Sequence, residues 1–66
     1  MKIVIESSKA ELNTIDLEGY GEEKVIDIWD AKTEMGLTLL AMNVSSEQIL
    51  LQLKNKPLRI TIEIIE

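Results

Sequence analysis

The sequence predicts an α+β fold in which five short strands and one helix follow in the order β-β-β-β-α-β. Several stretches alternate apolar and polar residues with a period of two, as half-buried strands do. One later stretch carries signals for both ends of a helix. Many of the apolar residues are β-branched, with ten Ile and three Val, and Phe is absent. This composition favours a sheet over a helical bundle. The 66 residues allow a single domain, 1–66. Its strands form a mostly antiparallel sheet or a small curled barrel.

The first two strands are predicted at 2–6 and 13–18. Ile3 and Ile5 share one face of the first strand. In the second strand Ile15 and Leu17 point to one side and polar residues to the other, which predicts that the apolar side is buried. Gly19-Tyr20-Gly21 follows, and two glycines around one residue indicate positive φ angles in a hairpin or loop.

The next two elements are less uniform in pattern. Residues 22–35 allow a helix, with two Glu in its first turn and a glycine after its end, but the stretch 24–30 is rich in poor helix formers and we expect a strand. Residues 37–43 are apolar on both faces. This strand is therefore expected in the middle of a sheet, or between a helix and a partner.

The clearest helix signal covers 46–55. Ser45 or Ser46 is the expected N-cap, with a capping-box glutamine three residues after Ser45. Asn55 can adopt the left-handed conformation that ends a helix, and Pro57 forbids its continuation.

The apolar stripe of this helix is expected to contain Ile49, Leu50 and Leu53, so the helix covers one face of the sheet. The last strand, 58–65, alternates over eight positions with one exception.

The composition excludes several classes of chemistry. The chain has no Cys and no His, which removes disulfides, thiolate zinc sites and histidine general bases. We expect no cofactor, no metal, no membrane span and a cytoplasmic location. A chain this short gains about as much from apolar burial as ordering it costs, so an additional buried interface is favourable. The sequence thus predicts a homodimer, or a monomer that works while docked on a partner.

The net charge of −5 is concentrated in the first half of the chain. Residues 11–34 carry eight carboxylates against two lysines, a net charge of −6. Such a stretch suits a basic partner surface, as a nucleic-acid mimic would, and it opposes direct binding of nucleic acid. The alternative is an ordinary solvated surface kept soluble by its carboxylates.

The candidate partner-binding residues come from this stretch. Tyr20, between glycines, is expected to be exposed, whereas Trp29 is expected more in the core than at an interface. Asp27 and Asp30 fall on opposite faces of a strand, which argues against a shared metal ion. The full candidate set is Asp16, Glu18, Tyr20, Glu22, Glu23, Asp27, Trp29, Asp30 and Glu34.

Three functions from different classes fit these observations. The first is a non-enzymatic protein-binding module, such as an acidic inhibitor or regulator that engages a basic partner through 11–34. The alternative is a self-assembling structural subunit that pairs through a sheet edge, 58–65 or 2–6. The third is a small carboxylate-based enzyme, disfavoured because such a chain can hardly build a deep cleft.

Overall fold

A computed structural model describes all 66 residues, and it confirms an α+β fold with the element order β-β-β-β-α-β. The elements are β1 (Lys2–Ser7), β2 (Glu11–Leu17), β3 (Gly21–Asp30), β4 (Met35–Leu40), α1 (Val44–Leu53) and β5 (Leu58–Glu63).

The five strands form two small antiparallel sheets and no closed barrel. β1 pairs with β5, from Lys2 opposite Glu63 to Ser7 opposite Leu58. The second sheet has the order β2-β3-β4, with successive strands joined by hairpins. The ten-residue helix α1 is too short to span a lipid bilayer.

β3 confirms the strand interpretation of 24–30 and is the central strand of its sheet. Val25 and Ile26, which point to opposite faces, are both fully buried. Of the two positions expected for 37–43, the middle of a sheet is wrong, because β4 is an edge strand, and a position between a helix and a partner stays a prediction. Leu39 and Leu40 are 38% and 41% exposed there.

β2 turns a different face to the core from the one that its alternation predicts. Leu12, which precedes the predicted strand 13–18, packs against the core, whereas Ile15 lies on the outer face and is 37% exposed. The start of β2 is the part near the end of α1, since Ala10 exchanges backbone hydrogen bonds with Asn55 and Lys56. Leu12 is the one residue of β2 that packs against the core.

Helix α1 begins two residues earlier than predicted. Its N-cap is Asn43 rather than Ser45 or Ser46, and the Asn43 side-chain oxygen accepts a 2.8 Å hydrogen bond from the Ser46 N–H. At the other end, Asn55 adopts the predicted left-handed conformation with a φ of 62°.

The core lies where α1 and the two sheets meet. It contains Ile5 from the first sheet, Ile26 and Ile28 from the second, and Leu50 from the helix, with two alanines from the connections. The predicted helix stripe is only partly correct, since Ile49 is 59% exposed.

The folded chain leaves a large surface uncovered. Its accessible surface is 5174 Å², against roughly 4,250 Å² for a monomer of 7.5 kDa. Its radius of gyration is 12.9 Å, against about 10.8 Å for a compact domain of this length. Fifteen large apolar residues are exposed and seven apolar residues are buried. The accessible surface of the chain exceeds the value expected for its mass by about 900 Å². This surplus is close to one partner's share of a standard protein interface.

Candidate functional site: an acidic hairpin and a groove beside Trp29

The structure divides the candidate residues into three groups. Asp16, Glu18, Tyr20, Glu22 and Glu23 lie at the closed end of the β2–β3 hairpin, which we call the acidic tip (residues 16–23). Asp27 and Trp29 lie on the outer face of the three-stranded sheet, the face turned away from α1. Asp30 and Glu34 lie at the far end of β3 and in the turn after it.

Two glycines shape the acidic tip. The Tyr20 N–H donates a 2.9 Å hydrogen bond to the Leu17 carbonyl, and Gly19 between them has a φ of 86°. Gly21, where β3 begins, has a φ of 78°. These left-handed angles confirm the predicted hairpin, and they leave Tyr20 69% exposed, as expected.

The charges of the acidic tip are uncompensated within the chain. Asp16 and Glu22 are directly opposite in the ladder, an arrangement that destabilises a sheet. The tip contains four carboxylates and no lysine or arginine. The two ion pairs of the molecule lie elsewhere, Lys24–Glu47 at 2.8 Å and Arg59–Glu6 at 3.4 Å. The tip therefore concentrates negative potential at one end of the sheet.

Asp27 lies at the centre of the outer face, where it bridges three strands. Its two carboxylate oxygens accept hydrogen bonds from the Asn13 amide on β2 and from the Thr38 hydroxyl on β4, the latter at 2.7 Å. Glu11 is its direct cross-strand neighbour. The two hydrogen bonds hold the Asp27 carboxylate in place.

Trp29 is exposed, so the expectation that it belongs in the core is wrong. Its side chain is 56% accessible and lies against Gly36, the residue opposite on β4. A Cβ at Gly36 would come within 3.0 Å of the indole ring and 3.1 Å of the Ile28 carbonyl oxygen. Gly36 thus lets the aromatic ring lie close to the neighbouring backbone.

One open groove of about 440 Å³ runs beside Trp29. Its lining includes Trp29, Asp27, Glu11 and Thr38, together with Ser8 and Lys9 of the β1–β2 connection. The connection residues and Gly36 are absent from the predicted set. The sequence carries no signal for them, because only the strand register brings them beside Trp29.

Asp30 is 5% exposed and joins the two sheets. Its carboxylate accepts hydrogen bonds from the backbone N–H of Glu6 on β1 (2.9 Å) and of Lys32 and Thr33 in the following turn (2.8 and 3.3 Å). The Glu6 hydrogen bond is the main cause that lowers the pKa of Asp30, and the turn N–H groups add to it against the opposing effect of burial. Asp30 is thus occupied within the fold and is not available to a partner.

Glu34 lies in the β3–β4 turn with a φ of 57°, at the opposite end of β3 from the acidic tip. The carboxylates of 11–34 therefore do not form one continuous face. No group of three or more carboxylates is arranged to hold a metal ion.

The sequence has no significant match among family models, curated proteins or solved structures.

Proposed function

We propose that the protein is a non-enzymatic protein-binding module that docks its acidic tip on a basic surface of another protein. The surplus of about 900 Å² of accessible surface is the observation that carries this proposal, because the isolated chain leaves an interface-sized area uncovered. The acidic tip indicates the chemistry of the partner. Its four carboxylates attract a surface rich in Lys and Arg.

The placement of the charges supports this proposal. Like charges at Asp16 and Glu22 weaken the hairpin in the free protein, and pairing with a basic partner relieves that repulsion. Tyr20 at the same tip offers a large apolar ring with a polar hydroxyl, a side chain common in binding hot spots. A protein whose basic groove normally holds phosphates is the partner class that best matches these features, with this chain as its inhibitor.

Partner capture from a host lysate by the immobilised protein, at low and at high salt, tests the proposal. The double variant Glu18→Lys with Glu22→Lys reverses two charges of the acidic tip. Asp30 is left unchanged because replacing it would disturb the junction of the sheets. The matched control, Glu34→Lys with Glu66→Lys, makes the same change in net charge away from the acidic tip.

We expect capture of a basic protein that weakens steeply with salt, is lost in the tip variant and persists in the control. Circular dichroism establishes that both variants fold. Equal capture by the tip variant and the wild type would show that the acidic tip is not the binding surface.

A second candidate function is self-assembly through the outer edge of β5. The Glu6 N–H points away from β5, toward Asp30, so in an antiparallel ladder Arg59, Thr61 and Glu63 direct their backbone groups to the free edge of β5. The corresponding edge of β1 is partly closed by Asp30. Ile62 and Ile64, which continue the core-facing side of β5, are 37% and 55% exposed.

A second copy paired at β5 would extend the two-stranded sheet to four strands and cover these isoleucines. Thr61→Pro removes a free-edge donor, whereas Ile62→Pro removes a donor of the β1–β5 ladder and serves as the folding control. We expect light scattering to show a dimer for the wild type and a folded monomer for Thr61→Pro. A wild-type monomer at millimolar concentration would refute self-assembly.

A further inference from the structure

The groove beside Trp29 combines an exposed aromatic face with carboxylates. The indole ring is held against Gly36 on β4, so its outer face is free for a ligand. Asp27 is two residues away on the same face of β3, about 6.6 Å along the strand. Glu11 is the direct neighbour of Asp27 and the diagonal neighbour of Trp29, a separation of about 7–8 Å. One planar cation can therefore contact all three side chains.

The two carboxylates have capacity for a ligand. Glu11 makes no side-chain hydrogen bond and no ion pair. Each oxygen of Asp27 accepts one hydrogen bond, from Asn13 and from Thr38, which leaves further acceptor positions on a carboxylate that is already held in place. The groove thus offers one carboxylate without a partner and one that is held in place.

Lys9 also lines the groove, and its positive charge reduces the negative charge of the groove from −2 to −1. Its ammonium group makes no ion pair within the chain. The remaining charge favours a single cation over an anion.

We propose that this groove binds an arginine side chain of the partner protein, with the guanidinium stacked on the Trp29 indole and hydrogen-bonded to Glu11 and Asp27. The planar guanidinium suits this geometry better than the ammonium of lysine, because it can stack on an aromatic face and donate in a fork at the same time. The inference rests on the proposed function in that the partner is a basic protein. It adds a second contact point, separate from the acidic tip.

Trp29 is the only tryptophan of the chain, so its fluorescence reports directly on the groove. The probe is the capped tripeptide Gly-Arg-Gly, titrated at constant ionic strength to about 10 mM. Matched peptides replace the arginine by citrulline, which keeps the shape but not the charge, or by lysine.

We expect a saturable change in Trp29 emission with the arginine peptide, half complete near 1 mM, as a single exposed side-chain contact gives. The citrulline peptide should give no saturable change, and the lysine peptide should bind at least about fivefold more weakly. Glu11→Gln should weaken the arginine peptide about tenfold, whereas Glu66→Gln, the matched control, leaves it unchanged.

Absence of a saturable change, or equal binding of the citrulline peptide, overturns the arginine site. Equal binding of lysine overturns the role of stacking. The tip variant Glu18→Lys with Glu22→Lys separates the two proposals. If the peptide does not bind but partner capture still depends on the tip, only the groove proposal fails. If the peptide binds but capture does not depend on the tip, only the tip proposal fails.

Discussion

Leu50 should contribute a large part of the stability of this domain, because it is the one buried residue of the helix. It is 5% exposed, whereas its neighbour Ile49 is 59% exposed. Leu50→Ala removes three buried carbons, worth about 2.4 kcal/mol at 0.8 kcal/mol each, and leaves a cavity at the junction of both sheets. The expected loss in the free energy of unfolding is about 2.5–4 kcal/mol.

A domain of 66 residues has a total stability of about 3–10 kcal/mol, so this loss is about a quarter of the total or more. Ile49→Ala is the matched control on the same helix. It removes mostly exposed carbons, and the better helix propensity of Ala offsets part of the loss, so the expected change is below about 0.5 kcal/mol.

Urea unfolding followed by circular dichroism and by Trp29 fluorescence measures both variants. With a slope of about 1 kcal/mol per molar urea, the midpoint of Leu50→Ala should fall by about 2.5–4 M, or the variant should be partly unfolded in water. A loss under 1 kcal/mol for Leu50→Ala, or equal losses for the two variants, would contradict the position of the helix on the core.

Three further predictions concern single positions. The pKa of Asp30 is lower in the folded protein than the unfolded value of about 3.8, so the ionised carboxylate stabilises the fold at pH values above 3.8. This contribution is lost as the pH falls through the folded pKa. Acid unfolding curves should therefore show a smaller loss of stability below pH 4 for Asp30→Asn, which is also less stable at pH 7. Glu34→Gly should raise the free energy of unfolding by about 0.5–1 kcal/mol, because the φ of 57° at this position strains any residue with a Cβ but not glycine. A thermal melt measures the change in stability. Gly36→Ala should destabilise by about 1–3 kcal/mol and shift Trp29 emission, because the new methyl group meets the indole and the Ile28 carbonyl. An unchanged emission would contradict the Trp29–Gly36 contact.

Local patterns predicted the elements well, because each depends on residues close in the chain. Alternation predicts which side of β5 faces the core, where Leu58 and Ile60 pack, and the glycines around Tyr20 predict the turn of the hairpin. The β-branched run of β3 was correctly preferred as a strand. These signals are properties of a few neighbouring residues and do not require knowledge of the sheet order.

The errors concern which surface the second sheet turns to the core. Alternation shows that Ile15 and Leu17 share a face, but not that this face is covered. The chain divides its strands between two sheets, and only the start of β2 lies near the helix end, so Leu12 packs inside and Ile15 remains outside. The average burial of tryptophan in proteins predicts Trp29 in the core. In β3, however, Trp29 is two residues from Asp27, so both side chains point to the outer face of the sheet.

The candidate site was only partly predictable for the same reason. Counting charge along 11–34 found the acidic tip, because a tight hairpin keeps sequence neighbours together. It could not distinguish Asp30, whose carboxylate holds β1 to β3, from carboxylates that face solvent. Pairing Glu11 with Asp27, sixteen residues apart in sequence, needs the register between β2 and β3. Composition cannot supply that register.

The acidic tip and the β5 edge belong to different sheets, so the proposed binding of a basic partner and the proposed pairing with a second copy would use different surfaces. A dimer formed through β5 would present two acidic tips at once. On a partner with two sites within reach, the second tip then binds intramolecularly, and the apparent affinity rises although each tip makes the same contacts as before. Thr61→Pro, which leaves the tip untouched, should then weaken capture on a densely immobilised partner and change little on a sparse one. Equal weakening at both densities would instead place β5 in the contact with the partner itself.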